Sequence, residues 1–233
     1  MSDSAPLMGN DNERTGPDGM PMMDRAEKDA SYNLAAKLLL GFPIVGGAIG
    51  FGLAYGLYAF ASDKQAVSAR VGTLAATSGQ WALLSGYVFH RTVGFLNTYP
   101  VLYKGQVMRA KSSNLRANML VYEQIGERAL PGKVVLVENG DLGQYNRANR
   151  SLHHFVENSL PVVLSIVLNT PVFPAQAFGL TCLFALGRIA HQIGYSTKKG
   201  YGAHALGFML ATLSSEALAG LLLVAALKAF GVL

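Results

Sequence analysis

The chain has 233 residues, of which 51% are hydrophobic and only 14% are charged, and its formal net charge at pH 7 is +5. A soluble domain carries roughly 25% charged residues, so this composition argues against one and indicates an integral membrane protein. The length favours a single domain, and the single cysteine, Cys182, excludes an intrachain disulfide.

The first 33 residues differ from the rest of the chain. They are acidic and rich in glycine, proline and methionine, so we interpret residues 1–33 as a disordered tail. The tail lacks the basic start and the short apolar core of a signal peptide. Residues 34–62 follow as an apolar stretch that is long enough for one membrane helix.

Glycines in this first apolar stretch have a spacing that suits helix packing. Gly46 and Gly50 are four residues apart, as are Gly52 and Gly56, and this spacing lets two membrane helices approach closely. Glycine is also common in membrane helices that make no such contact. The sequence leaves both interpretations open.

Three more apolar regions lie in the remaining domain, residues 63–233. One of them is too long for a single span, and Pro171 and Pro174 divide it, because proline breaks a helix interior and favours a helix start. Ser68–Lys111 is also too long for one membrane helix, so that region must bend or protrude. We therefore predict five membrane helices, in Leu34–Ala61, Val71–Tyr103, 150–170, 173–195 and Ala203–Phe230.

Basic residues cluster on one side of these predicted spans. They include Arg109 and Lys111 in the loop between the second and third spans, and Lys198 and Lys199 after the fourth. The turn near Asn169 holds none. The positive-inside rule places the N-terminus and the basic loop on the cytoplasmic side of a multi-pass protein, which we assign to an endomembrane or organelle membrane.

Two groups of polar residues lie on the third and fourth spans, at ends that should meet at one membrane level. Ionisable side chains at membrane depth are costly, and by default they indicate function. Within each group the spacing of three, four and seven positions places the residues on one helical face. The groups are Arg150, His153, His154 and Glu157 on the third span, and Arg188, His191 and Tyr195 on the fourth.

Each of these residues also has a purely structural interpretation. Arg150 could extend to the lipid headgroups, and Tyr195 could belong to an interfacial aromatic belt. Arg188 and Glu157 could form an ion pair between helices. The polar faces of the third and fourth spans nevertheless lie at the same membrane level, and this coincidence favours a ligand site over a separate structural explanation for each residue.

The residues on these faces resemble motifs of a known family. Arg150 followed by Glu157-Asn158, and Gly187-Arg188-Ile189-Ala190-His191 followed by Tyr195, are similar to strings in the MAPEG family, the membrane-associated proteins in eicosanoid and glutathione metabolism. Its microsomal glutathione transferases and prostaglandin E synthase are the members that this chain most resembles. Gly105-Gln106-Val107 resembles the end of the family's first helix.

The resemblance implies a fold and an assembly. The fold would be an all-α integral membrane protein, a MAPEG-like four-helix bundle in residues 63–233 with an additional N-terminal membrane helix in residues 34–62. Three subunits would form a homotrimer, and glutathione would bind between them near the cytosolic side.

The resemblance also implies roles for the matching positions. Arg150 and Glu157 would hold the charged ends of glutathione, since a carboxylate needs a guanidinium and an ammonium needs a carboxylate. His191 and Tyr195 would be further contacts, and Arg188 would order the site. His154, where the family has an asparagine, completes the predicted binding residues.

One departure from the family pattern affects catalysis. An arginine that stabilises the glutathione thiolate is expected seven to nine positions after Tyr195, but those positions hold Gly202, Ala203 and His204. For this reason no catalytic residue is assigned from the sequence. Arg109, Lys198, Lys199 or His204 would have to supply the cation.

Two hypotheses of different classes follow. The first is a glutathione-dependent transferase or peroxidase acting on lipophilic electrophiles that enter from the bilayer. The second is a non-catalytic MAPEG-like subunit, or a lipid-binding partner, in a larger membrane complex. Lipids and lipophilic small molecules are the expected partners, and neither a metal nor nucleic acid is expected.

Overall fold

The computed structural model describes residues 22–108, 119–125, 133–197 and 200–233. It shows an all-α integral membrane protein, in which the described residues add only one short β-hairpin to the helices. Within these described ranges, three helical segments are long and apolar enough to cross a membrane, namely Arg25–Ala59, Gly140–Asn169 and Gly202–Ala229. The fold class predicted from the sequence is confirmed.

The described elements follow one another along the chain as helices with a single hairpin between the fourth and the fifth. A short 3-10 helix, Gly200–His204, leads into the last helix. The hairpin pairs β1 (Tyr122–Ile125) antiparallel to β2 (Lys133–Leu136). The helices are α1 (Arg25–Ala59), α2 (Lys64–Ala76), α3 (Gln80–Thr98), α4 (Val101–Val107), α5 (Gly140–Asn169), α6 (Pro174–Ser196) and α7 (Ala205–Ala229).

The five predicted spans correspond to α1, α3, α5, α6 and α7, but α3 and α6 are not among the three candidate spans. The physical reason is their polar content, because α3 contains His90 and Arg91 and α6 contains Arg188 and His191. Side chains of this kind lower the mean hydropathy of a helix. Helix α5 continues through Pro161 without interruption.

Helix α1 begins earlier than the sequence predicted. A capping box starts it at Asp24, whose carboxylate accepts from the Glu27 amide at 2.8 Å while the Glu27 carboxylate accepts from the Asp24 amide at 3.2 Å. Residues 25–33, predicted to be disordered, are therefore the first turns of α1. The remainder of the predicted tail, residues 1–21, lies outside the described residues.

The second apolar region is broken twice, as its length required. A turn at Ser78, which has a φ of 58°, separates α2 from α3. A second break, at Tyr99-Pro100, separates α3 from α4. No residue of α2 is buried, so this helix lies at the margin of the bundle.

Helix α6 forms the centre of the packing, because it contacts α3, α5 and α7. Two apolar clusters surround this centre. One includes Leu152, Phe155 and Phe184 within the bundle, and the other joins α1 to α4 and α5 through Leu39, Tyr103 and Tyr145, among others. The ends of α5 and α6 that carry the predicted polar faces are thereby held together.

Among the described residues, two polar contacts attach helix α1 to the bundle in addition to its apolar contacts. Lys28 Nζ lies 2.6 Å from Asp141 Oδ2 at the start of α5, and the Arg91 guanidinium of α3 donates to the Pro43 carbonyl. Arg109, Lys111, Lys198 and Lys199 lie outside the described residues, so the cytoplasmic placement of the basic loop remains a prediction.

Candidate functional site

Hydrogen bonds between polar side chains join the facing ends of α5 and α6. The Ser151 hydroxyl lies 2.9 Å from His191 Nδ1, and Arg188 Nη2 donates to the Ser151 carbonyl at 2.9 Å. Arg188 Nη1 lies 3.0 Å from His154 Nδ1, which accepts when that ring is neutral. The structure therefore brings His154, Arg188 and His191 into one hydrogen-bonded group.

Arg188 is the buried cation of this group. Arg188 is only 3% exposed, and its guanidinium carbon lies 5.6 Å from the centre of the Phe155 ring. Among the residues that the structure describes, no carboxylate lies within ion-pair distance of it. A buried charge must be compensated; here the Ser151 carbonyl, the His154 nitrogen and the aromatic ring do so in part.

Arg150 and Glu157 have a different environment, on the outward face of α5. Arg150 Nη1 lies 3.1 Å from Glu157 Oε1, and their side chains are 47% and 54% exposed. They are seven residues apart, so they stand two turns apart on the same side of the helix. Glu157 thus pairs with Arg150 on its own helix, and the alternative of an ion pair between Arg188 and Glu157 is wrong.

Glycines allow α7 to pack unusually close to α6. A Cβ atom added to Gly194 would overlap the Ala203 carbonyl, and one added to Gly207 would overlap the backbone at Ala190-His191. Gly187 stands against the α7 backbone in the same way. Because these positions lack side chains, the two backbones approach closely and the start of α7 lies beside the end of α6.

This close approach places two rings of the α7 region against the α6 face. The His204 ring meets Tyr195 edge-on at 4.9 Å and His191 edge-on at 5.2 Å between ring centres. Phe208 lies 5.9 Å from His191 and 6.0 Å from His154. Among the described residues, no group of three or more His, Cys, Asp or Glu side chains has an arrangement that could hold a metal ion.

A cavity of about 240 Å³ opens in the middle of these side chains. It brings together residues from α5, α6 and the α7 region that are far apart in the sequence. Its lining combines a guanidinium, three imidazoles, a phenol and a hydroxyl with one apolar ring. The lining residues are Arg150, Ser151, His154, His191, Tyr195, His204 and Phe208.

A second and larger cavity, of about 540 Å³, shares Arg150 and Tyr195 with the first. It extends to the start of α5 and to the end of the hairpin, and Arg147 and Asp141 also line it. The two cavities together form a continuous site that runs from the group of His154, His191 and Tyr195 toward the hairpin side of the bundle.

Side chains of α5 hold the hairpin in place as a wall of this second cavity. Asn146 is nearly fully buried, accepts from the Val121 amide at 2.8 Å and donates to the Val121 and Val137 carbonyls at 2.7 and 2.9 Å. Arg147 donates to the Glu138 carbonyl at 2.7 Å. The loop that leads into α5 is thus fixed by the helix that carries the site.

The sequence predicted six binding residues, and four of them, Arg150, His154, His191 and Tyr195, line the small cavity, whereas Arg188 and Glu157 do not. The other lining residues are Ser151, His204 and Phe208, and Asn146 holds the hairpin beside the second cavity. Ser151 and Phe208 were not predicted, and neither was Asn146. Ser151 lies four positions before Phe155 on the inner face of α5, so helical spacing alone could have indicated it. Phe208 lies on an almost uniformly apolar helix, where no pattern distinguishes it.

Residues 118–225 match the model of the MAPEG family. The matched segment contains α5, α6, most of α7 and every residue that lines the small cavity. Helices α1 to α4 lie outside it, including Gly105-Gln106-Val107. No curated protein and no solved structure matches the chain.

Proposed function

We propose that this protein is a glutathione-dependent transferase or peroxidase that acts on lipophilic electrophiles. The observation that supports it best is the polar cavity between α5, α6 and α7, whose lining combines the Arg150 guanidinium with several hydrogen-bonding groups. Such a lining at membrane depth suits an anionic ligand. The match of this segment to the MAPEG family favours glutathione as that ligand.

The residues present fit the chemistry of glutathione. The tripeptide carries two carboxylates and an ammonium group, which require cations and an anion from the protein. Arg150 at the junction of the two cavities offers the cation, and Glu157 beside it offers the anion. An exposed ion pair contributes at most about 1 kcal/mol, so the ligand can replace each partner at small cost.

Arg188 acts on the site through other residues. Its guanidinium fixes His154 and the Ser151 carbonyl, and the Ser151 hydroxyl in turn meets His191. We therefore assign Arg188 a positioning role, in agreement with the role that the family resemblance implies.

The outward face of α5 supports a homotrimer. Arg150 and Glu157 share this face with Leu160 and Leu164, which are 75% and 55% exposed. A charged pair turned toward lipid is costly, whereas a second copy of the chain could cover both the charges and the leucines. A cyclic arrangement of three copies covers every such face.

Native mass spectrometry in mild detergent tests the homotrimer. We expect a trimer as the main species, with the α5 face between subunits. A stable monomer, or one copy within a larger complex, would contradict this part of the proposal.

The reaction that the site supports is attack by a thiolate. Glutathione, when bound, would supply the sulfur nucleophile, and the protein must lower the pKa of that thiol by placing a cation nearby. Among the residues lining the small cavity, His204 lies against Tyr195 from the α7 side. We propose that His204 supplies the positive charge when it is protonated.

Calorimetry on the detergent-solubilised protein tests glutathione binding. Arg150→Ala and Glu157→Ala should each weaken binding by more than about tenfold. In the proposed trimer each would pair with a charged end of glutathione buried between subunits, and loss of one member of a buried charge pair costs roughly 2–5 kcal/mol. Arg70→Ala is the matched control, because Arg70 also forms an exposed ion pair, with Asp63 at 3.9 Å, but far from the site.

The control should bind as the wild type does. If the wild-type protein shows no heat of binding at millimolar glutathione, the proposed ligand is wrong. If Arg70→Ala weakens binding as much as Arg150→Ala, the effect comes from general surface charge and not from the cavity.

One observation favours the second candidate function, a non-catalytic subunit of a larger membrane complex. A Cβ atom added to Gly50, Gly52 or Gly56 of α1 would meet no other atom within 4 Å in the described part of the chain. This half of α1 is thus available to another protein. Purification that yields a fixed second protein together with an absence of glutathione binding would favour this alternative.

A further inference from the structure

A groove of about 550 Å³ lies at the end of the bundle remote from Arg150. It is formed by the end of α2, the first turns of α3 and the last turns of α5, next to the turn at Thr170-Pro171. Its volume is within the range of small-molecule sites. The polar cavity and this groove share no lining residue.

Missing side-chain volume on α3 creates the groove. Ala82 and Gly86 are four residues apart, so they share one face of the helix. A Cβ atom added to Gly86 would meet no atom within 4 Å. Across the gap stand Val163 and Val167 of α5, which the small residues do not reach.

The lining of the groove offers few partners to a polar ligand. Among the described residues, no ionisable side chain lines it. Its hydroxyl protons are already donated, from Thr77 to the Leu74 carbonyl at 2.9 Å and from Thr170 to the Ile166 carbonyl at 2.7 Å. Water requires polar partners, and apolar cavities stay dry and accept apolar molecules instead.

Aromatic rings close the inner end of the groove. Phe89 lines it, and the Phe89 ring lies 5.8 Å from Phe155 and 6.4 Å from Phe184. Phe155 is in turn the ring beneath the Arg188 guanidinium. A chain in the groove would therefore end against these rings, separated from the polar cavity by a layer of side chains.

We propose that this groove binds one acyl chain of a membrane phospholipid. The chain fills the space beside Ala82 and Gly86, and the headgroup stays in the interfacial layer near Thr170. A phospholipid is favoured over a free fatty acid because the lining has no cation to pair with a carboxylate. The assignment does not depend on glutathione binding.

Trp81 provides a probe for this groove. It is the single tryptophan of the chain, it is adjacent to the lining residue Ala82, and its ring lies 5.2 Å from Phe178. Bromine atoms on an acyl chain quench tryptophan fluorescence on contact. Phosphatidylcholine brominated on its chains can therefore be titrated into the detergent-solubilised protein while Trp81 emission is followed.

In the wild type, quenching should saturate at a low fraction of brominated lipid. Gly86→Leu fills the groove, so its half-saturating fraction should be higher by about tenfold, equivalent to ~1.4 kcal/mol. Gly220→Leu is the matched control, since an added Cβ there also meets no atom within 4 Å but on α7. It should behave as the wild type does.

Ala82→Leu provides a second variant if Gly86→Leu does not fold, and it should raise the half-saturating fraction in the same direction. Quenching that increases linearly with lipid and is equal in all variants would show contact with bulk lipid only and would overturn the proposal. Saturable quenching by brominated stearic acid without any by brominated phosphatidylcholine would overturn the choice of a phospholipid.

Discussion

Helix α1 and the pair α6–α7 are both rich in glycine, yet their glycines have opposite surroundings. On α1, Gly50, Gly52 and Gly56 stand in open space. On α6 and α7, Gly194 and Gly207 stand so close to the opposite backbone that no side chain could replace their hydrogens without movement.

The difference shows what glycine spacing contributes to a membrane helix. It permits close approach but does not supply a partner, because a partner is supplied only by another helix of complementary shape. In α6–α7 the approach has a chemical result, since it brings His204 and Phe208 over His191 and Tyr195. At Gly50, Gly52 and Gly56 of α1 the glycine spacing brings no other helix close within the described chain.

The largest effect should come from enlarging a glycine of the close pair. Gly194→Leu forces α6 and α7 apart, and overpacking of this kind should lower the free energy of unfolding by about 3 kcal/mol. Gly52→Leu on α1 should change it by less than about 0.5 kcal/mol. Unfolding in mixed micelles, followed by Trp81 emission, measures both.

An equal loss of unfolding free energy in these two variants would contradict the difference between the helices. Such a result would show that the second half of α1 has a partner in the purified protein, most simply another copy of the chain.

A smaller effect is expected from replacing His204, whose ring lies against Tyr195. With His204→Arg, a permanent positive charge near the bound thiol should lower its pKa, which is about 8.5 in the free state, by about one unit. Since the thiolate form is favoured above the pKa, its fraction at neutral pH should rise by nearly tenfold. Thiolate absorbance of bound glutathione across a pH series measures this shift.

The wild type should accordingly react slowly at neutral pH, and its rate should increase as the pH approaches the pKa of the thiol. A wild-type reaction that is already fast and does not change with pH would show that another cation stabilises the thiolate. His204→Gln serves as the control, because it keeps hydrogen-bonding groups at this position but cannot acquire a charge.

The smallest effect concerns the attachment of α1. Lys28→Ala removes the bond to Asp141, a pair whose side chains are 36% and 37% exposed, and should cost about 0.5–1 kcal/mol. Hydrogen exchange in the first turns of α1 should become faster while α6 and α7 stay protected. Arg25→Ala is the control, because its exposed pair with Asp29 lies within α1 and joins no second helix.

A loss of protection throughout α6 and α7 in Lys28→Ala would contradict the view that the attachment of α1 is independent of the packing of α6 and α7. In that case the whole bundle would depend on α1, and the difference between the two glycine-rich regions would be smaller than the structure indicates.

The sequence by itself determined the positions of the later helices and the composition of the two polar faces. Apolar length and the proline at the start of α6 set the boundaries near Asn169 and Pro174, because both act locally on the chain. Helical spacing likewise assigned His154 and His191 each to a face. These features depend only on residues that are close together in the sequence.

Only the tertiary structure decided which side chains meet. Periodicity does not say that Glu157 turns outward to Arg150 while Arg188 is buried beneath His154, because the direction of a face depends on the helix that packs against it. The place of His204 depends on glycines, whose contribution is the absence of a side chain. Close backbone approach between helices is a property of two surfaces together, and it becomes visible only when both are in place.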